Sequence, residues 1–169
     1  MGIDRTSKFA FVELVEQADM QAASAFLESL VAAVPYRIHS VLTDNGIQFA
    51  DLPKNRKGPT ARLRRHPFDR VCHRHGIEHR LTKPNHPWIN GQVERMNRTI
   101  KEATLQRYHY DSHGQLRTHL FDFVAAYNFA KRLKTRHGLT PYEFICTCWQ
   151  IDPQRFTLDP THQKPGLYT

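Results

Sequence analysis

Ile38-His39-Ser40-Val41-Leu42-Thr43-Asp44-Asn45-Gly46 runs from a mostly apolar stretch straight into three residues that favour turns. The run reads as a strand over Ile38–Thr43, with Asp44 at its carboxyl end. Upstream, Gln21–Val34 carries Ala22, Ala25, Phe26, Leu30 and Val34 near helical spacing and stops at Pro35, which predicts an amphipathic helix. Before that, Lys8–Val15 reads as a strand through Phe9, Phe11 and Val12, although its alternation is imperfect. Strand, helix and strand at this spacing make a βα unit of a mixed or parallel sheet, in which ligands gather at the carboxyl ends of strands. The expected class is α/β, and Asp44 stands where such folds place chemistry.

Downstream, Ala50–Arg65 is polar, basic and punctuated by Pro53, Gly58 and Pro59, so an exposed loop is expected. Phe68–His75 predicts a helix closed by Gly76, and Ile77–Thr82 a short strand. Pro84–Asn90 is rich in turn residues. After it, Val93, Met96, Ile100 and Ala103 form one apolar stripe, while Glu94, Asn97, Arg98 and Lys101 lie on a different face. This helix is expected to bury one side and offer chemistry on the other. A break at Asp111–Gly114 precedes a second long helix, whose apolar face uses Leu116, Leu120, Phe123, Val124 and Tyr127. Thr140-Pro141-Tyr142-Glu143 has the pattern of a capping box with proline at the first helical position, opening a short helix toward Trp149. The expected organisation is a core over residues 1–110, helices closing it over 111–150, and an irregular tail over 151–169.

Composition narrows the function classes. A chain of 169 residues with 40% hydrophobic content can bury a core of its own. Its 24 Lys and Arg against 16 Asp and Glu give a net charge of +8, which favours a polyanionic partner. Nucleic acid is expected before a membrane, because no basic helix with a wide apolar face is present and no apolar run is long enough to span a bilayer. The three cysteines, Cys72, Cys146 and Cys148, make no disulfide framework, and no charged-then-apolar leader is seen, which suits a soluble protein in a reducing compartment. Cys72-His73-Arg74-His75, with His79 and His86, does not complete a tetrahedral zinc set. No serine sits in a nucleophile-elbow context.

Carboxylates at a strand end and on a helix face suit metal-dependent phosphoryl chemistry. In-line attack on a phosphodiester is helped by two divalent ions that neutralise charge on the leaving oxygen, and magnesium takes one or two carboxylates each. Thr43-Asp44-Asn45-Gly46-Ile47-Gln48-Phe49 and His86-Pro87-Trp88-Ile89-Asn90-Gly91-Gln92-Val93-Glu94-Arg95-Met96-Asn97-Arg98 together resemble the integrase core of insertion-sequence transposases and retroviral integrases. Ile3-Asp4-Arg5-Thr6-Ser7 resembles the turn before that core's third strand, and Tyr127-Asn128 through Thr140-Pro141-Tyr142-Glu143 resembles the segment that closes it. The resemblance implies an RNase H-like fold, a mixed sheet flanked by helices, and DNA cleavage and joining with Mg²⁺ or Mn²⁺. By position, Asp44 and Glu94 match the second Asp and the Glu of an Asp-Asp-Glu triad.

Two departures from the family pattern stand out. Asp44 and Glu94 are separated by 49 residues, more than is usual, and the excess falls in the loop at Ala50–Arg65, where added length costs little closure entropy. The family's first Asp would lie upstream of Ile3–Ser7, so that ligand and the first strands are expected to be absent, and Asp4 occupies what resembles a non-catalytic turn. The resulting expectation is a transposase catalytic region, inactive as written, that binds DNA ends and target and assembles as a homo-oligomer on DNA without membrane contact. A non-catalytic DNA-binding or interaction remnant is the alternative. Lys101 and Asn97 share the face of Glu94 and are expected to contact DNA, with Asn90, Arg98 and the basic residues Arg56, Lys57, Arg64 and Arg65. A bacterial, cytoplasmic, nucleoid-associated location is implied by the same resemblance.

Overall fold

A computed structural model describes residues 1–51, 65–82 and 91–162. The chain divides into two compact units, one formed by Met1–Leu14 with Gly91–Thr169 and the other by Val15–Asn90.

In the first unit, β1 (Gly2–Ile3) and β2 (Ala10–Phe11) form an antiparallel hairpin in which Ile3 faces Ala10 and Gly2 faces Phe11. Its turn is built by Asp4, whose carboxylate accepts hydrogen bonds from the Thr6 and Ser7 amides and from the Ser7 hydroxyl. Such Asx geometry gives the backbone an alternative to ladder bonding. Lys8 closes the turn at φ +71°, a left-handed conformation unusual for a residue with a side chain. The strand expected over Lys8–Val15 is limited to Ala10–Phe11, and at its start Lys8 lies outside the β region. Val12 is nevertheless buried and Leu14 packs on the same core, so the inward-facing pattern outlasts the ladder.

Helices complete this unit. α3 (Gly91–Ala103) and α4 (His113–Phe129) pack Met96, Ile100, Leu120 and Val124 against Ala10 and Val12, with Met1, Ile3, Phe123 and Tyr127 around them. Ser112 caps α4 by accepting from the Gln115 amide. α5 (Pro141–Ile151) begins with the complete capping box, since the Thr140 hydroxyl accepts from Glu143 N–H and the Glu143 carboxylate accepts from Thr140 N–H. The stretch after α5 contains two 3-10 turns, Pro153–Arg155 and Pro160–His162, within what the sequence suggests is an irregular tail.

In the second unit, α1 (Met20–Ala33) starts at Asp19, which accepts from the Ala22 amide, and ends just before Pro35. β3 (Ser40–Thr43) and β4 (Glu78–Leu81) run parallel, paired from Ser40 with Glu78 through Thr43 with Leu81. α2 (Pro67–Arg74) lies between them in sequence, and Gly76 at φ +65° makes the left-handed exit from it. The strand–helix–strand unit is thus Ser40–Leu81, whereas the sequence pattern suggests one spanning Lys8–Thr43. The short turn after Ile3 pairs β2 with β1, in line with the preference of consecutive strands to be neighbours. The core is Leu27, Phe68, Val71, Cys72 and Ile77, with Leu30, Val41 and Phe49 packed on it. Burial, reinforced by the nearby Asp69 charge, pushes the Cys72 thiol up to about 11.

Candidate active site

Asp44 follows the last residue of β3, and its exposed carboxylate accepts from the Gly46 amide at 2.8 Å through Oδ1. Among the described residues, Oδ2 makes no hydrogen bond and faces no paired cation. The turn is held on both sides. The Asn45 carboxamide donates to the Thr82 carbonyl at 2.8 Å, just past β4, and the Thr82 amide donates to the Thr43 carbonyl at 2.9 Å. Asp44 is therefore carried on a rigid strand end rather than a free loop.

Thr43 at the end of β3 belongs to a chain of polar side chains that no motif in the sequence links. His79 on β4 places Nδ1 on the Asp69 carboxylate of α2 and Nε2 within 2.8 Å of Thr43 Oγ1. The Thr43 hydroxyl also lies 3.1 Å from the Asp44 carbonyl, to which it donates. The Thr43 hydroxyl therefore stands between the His79 ring and the Asp44 carbonyl, with His79 held from its other side by Asp69. His79 is almost enclosed, its side chain 8% exposed, and its ring lies 4.8 Å from that of Phe68. His66 is the second support. It caps α2 by accepting from Phe68 N–H at Nδ1, and its Nε2–H donates to the Ile47 carbonyl at 3.1 Å, fixing the segment after Asp44. The signal for His79 was present in the strand alternation, which turns it inward between exposed Glu78 and Arg80.

Glu94 sits in the first turn of α3, on the exposed face. Asn97, Arg98 and Lys101 are exposed beside it, three, four and seven residues on, while Met96 and Ile100 are buried on the other side. The division of this helix into an apolar face and a functional-looking face matches its sequence pattern. Glu94 belongs to the first unit and Asp44 to the second. Arg65 is exposed next to His66, whereas Asn90, Arg56, Lys57, Arg64 and Trp88 fall outside the described residues. Asp4 has all its near neighbours engaged in the turn described above. Among the described residues, no cluster of three or more His, Cys, Asp or Glu side chains is arranged to hold a metal, and no helix is long and apolar enough to cross a membrane.

Comparisons with known proteins give the fold a name. Residues 75–141 match the integrase core domain family. The catalytic core domain of BIV integrase superposes with a TM-score of 0.66 at 20% identity, covering 90% of this chain and 87% of that one. A chain from the simian T-cell lymphotropic virus intasome in complex with the PP2A regulatory subunit B56 gamma gives a TM-score of 0.65, also at 20% identity, covering 84% of this chain and 45% of that one. Among curated proteins, the uncharacterized protein K02A2.6 of Caenorhabditis elegans is 28% identical over 101 residues, 60% of this chain, which spans only 7% of that relative's length. The chain thus has the α/β, RNase H-like fold of integrase catalytic cores, a mixed sheet flanked by helices, and is related in sequence to the integrase core domain over residues 75–141.

Proposed function

We propose that this chain is the catalytic region of an insertion-sequence transposase, in which Asp44 and Glu94 are two ligands of a divalent-metal site for DNA cleavage and strand transfer. The observation that carries this reading is the placement of Asp44 on a braced strand end, with one carboxylate oxygen unengaged, in a fold of the integrase-core kind. The donor set fits a hard cation, since both residues offer carboxylate oxygens and neither is tied up in an ion pair among the described residues. Mg²⁺ or Mn²⁺ bound there would stabilise charge on attacking and leaving oxygens of a phosphodiester. The chain's own residues orient and position. Thr43 and His66 fix the backbone around Asp44, and Asn97, Arg98 and Lys101 give the strand of DNA polar and cationic contacts beside Glu94. Asn90, Arg56, Lys57, Arg64 and Arg65 extend that contact. The likeness to a chain of a viral intasome supports assembly of several copies on DNA.

A second reading, a DNA-binding region without turnover, is favoured by one observation: the Asp4 carboxylate is committed to its turn by three hydrogen bonds, so it is poorly placed to act as a third ligand. Cleavage and joining of end-labelled duplex DNA in Mg²⁺ or Mn²⁺ separates the two. Because the family's first Asp is expected to be absent, the first reading expects metal-dependent products from a version extended upstream through a further Asp, and there Asp44→Asn and Glu94→Gln should each reduce them by orders of magnitude, as loss of a metal ligand does. DNA binding with no product, unchanged by either substitution, would support the second.

A further inference from the structure

Cations from separate parts of the first unit meet beside the hairpin turn, and among the described residues none of them is held in an ion pair. Two meet on one neutral acceptor: the Lys8 ammonium donates to the Arg5 carbonyl at 2.6 Å, and the Arg136 guanidinium donates to the same oxygen at 3.4 Å. Arg136 is fixed there by a bond to the Thr135 carbonyl and by stacking on Phe144, with 5.1 Å from its guanidinium carbon to the ring centre, while its buried Nε has no partner. Arg95, on α3, bonds to the Gly91 carbonyl and among the described residues to no other acceptor, and Arg5 is exposed. Asp4 attracts the Lys8 ammonium, but its carboxylate oxygens are bonded to the Thr6 and Ser7 donors rather than to a cation. Among the described residues none of the four cations joins an ion pair, and the sequence outside them, residues 52–64, 83–90 and 163–169, contains no Asp or Glu.

Gathering like charges is unfavourable unless an anion completes the group. Burial and the charges of Arg136, Arg5 and Arg95 hold the Lys8 ammonium below its ordinary value, against an opposing effect of Asp4. The geometry is also specified locally, because the left-handed Lys8 turns its side chain back over the hairpin. An isolated solubilising residue needs no such arrangement.

We infer that Arg5, Lys8 and Arg136, with Arg95 beside Glu94 in sequence, form a second phosphate-binding patch, distinct from Asn97, Arg98 and Lys101, that holds the backbone of duplex DNA. This rests on the DNA-processing reading above and adds a contact region to it. The hairpin turn and the segment before α5 contribute by charge and backbone spacing, so the patch positions DNA without reading its sequence.

The test is binding of a labelled 30-base-pair duplex across a range of salt concentrations in EDTA, using the intact chain, the double variant Arg5→Gln with Lys8→Asn, and a control, Arg107→Gln with Arg117→Gln, that loses the same charge from exposed positions. Asparagine tolerates the left-handed conformation at position 8, and the position 5 carbonyl is retained, so the hairpin is preserved and is checked by circular dichroism. Removal of two phosphate contacts is expected to weaken binding about tenfold at 0.1 M salt and to lower the log–log salt slope by about 1.8. The control should change both much less. Equal effects of the two double variants, or unchanged binding by Arg5→Gln with Lys8→Asn, would overturn the patch while leaving the DNA-processing reading intact. No binding by the unaltered chain at low salt would overturn both.

Discussion

The Asn128 carboxamide grips both backbone polar groups of Ala10, accepting from its N–H at 2.9 Å and donating to its C=O at 2.8 Å. Both residues are buried, Ala10 1% and Asn128 3% exposed. A side chain near the end of α4 thereby takes the place of a neighbouring strand for one residue of β2, satisfying an edge that would otherwise be unpaired in the core. Asn128→Ala should orphan both groups and lower stability by about 2–4 kcal/mol, read from urea denaturation. Asn128→Asp keeps the acceptor and loses the donor, and should fall between. A loss under about 0.5 kcal/mol for the alanine variant would mean that water replaces the carboxamide.

Removing the polar chain that includes Thr43 should be felt without any loss of apolar packing. His79→Leu takes one partner from the half-exposed Asp69 carboxylate and one of two from the Thr43 hydroxyl, and should destabilise the protein by about 0.5–1.5 kcal/mol. In a double-mutant cycle with Asp69→Asn, the two effects should be less than additive, because each removes the same bond. Additive effects would show that His79 and Asp69 act independently.

Acid should weaken the start of α5 in a defined direction. The Thr140 amide holds the Glu143 carboxyl below its ordinary value, against an opposing effect of burial and with help from the Arg132 charge. A carboxyl depressed in the folded state adds stability above its unfolded value, near 4.5, and loses it as pH falls through the lower folded value. Glu143→Gln keeps an acceptor for the capping box but cannot titrate, so its stability should fall less than that of the unaltered chain between pH 5 and pH 3. Parallel pH curves would remove Glu143 from the acid response.

Thiol reactivity separates the three cysteines. Cys72 is 2% exposed and its thiol is pushed up to about 11, while Cys146 and Cys148 are partly exposed with smaller upward shifts from burial. At pH 8 a disulfide reagent should modify Cys146 and Cys148 first, and Cys72 only at the rate of unfolding. Mass spectrometry of the modified peptides reads the order, and early labelling of Cys72 would contradict its place in the core.

Elements driven by local chemistry were legible in the sequence. The capping box at Thr140 and Glu143, the stop of α1 before Pro35, the glycine exit at Gly76 and the two faces of α3 all follow from short-range patterns that the structure repeats. Pairing was less legible, because register and partner depend on turn geometry that periodicity does not encode. Lys8 stands in a left-handed turn before β2, and the parallel ladder joins β3 to β4 across α2. At the candidate site, Asp44 and Glu94 were singled out by the motifs that resemble the integrase core, because turn residues and helical spacing alone fit an ordinary turn and a solvated helix face equally well. His66, Asp69 and His79 did not, since what unites them is contact between separate elements, and a lone histidine in a strand reads the same whether it supports a carboxylate or merely fills the core.

Paramagnetic broadening by Mn²⁺ tests the proposed metal-binding role of Asp44 and Glu94 most directly, because it detects weak binding residue by residue and does not require turnover. Amide spectra of the intact chain titrated with Mn²⁺ should lose signals around Asp44 and around Glu94 at the same metal concentration, and Asp44→Asn or Glu94→Gln should restore both sets together. Broadening at only one of the two carboxylates, or at both but abolished independently, would contradict their joint role.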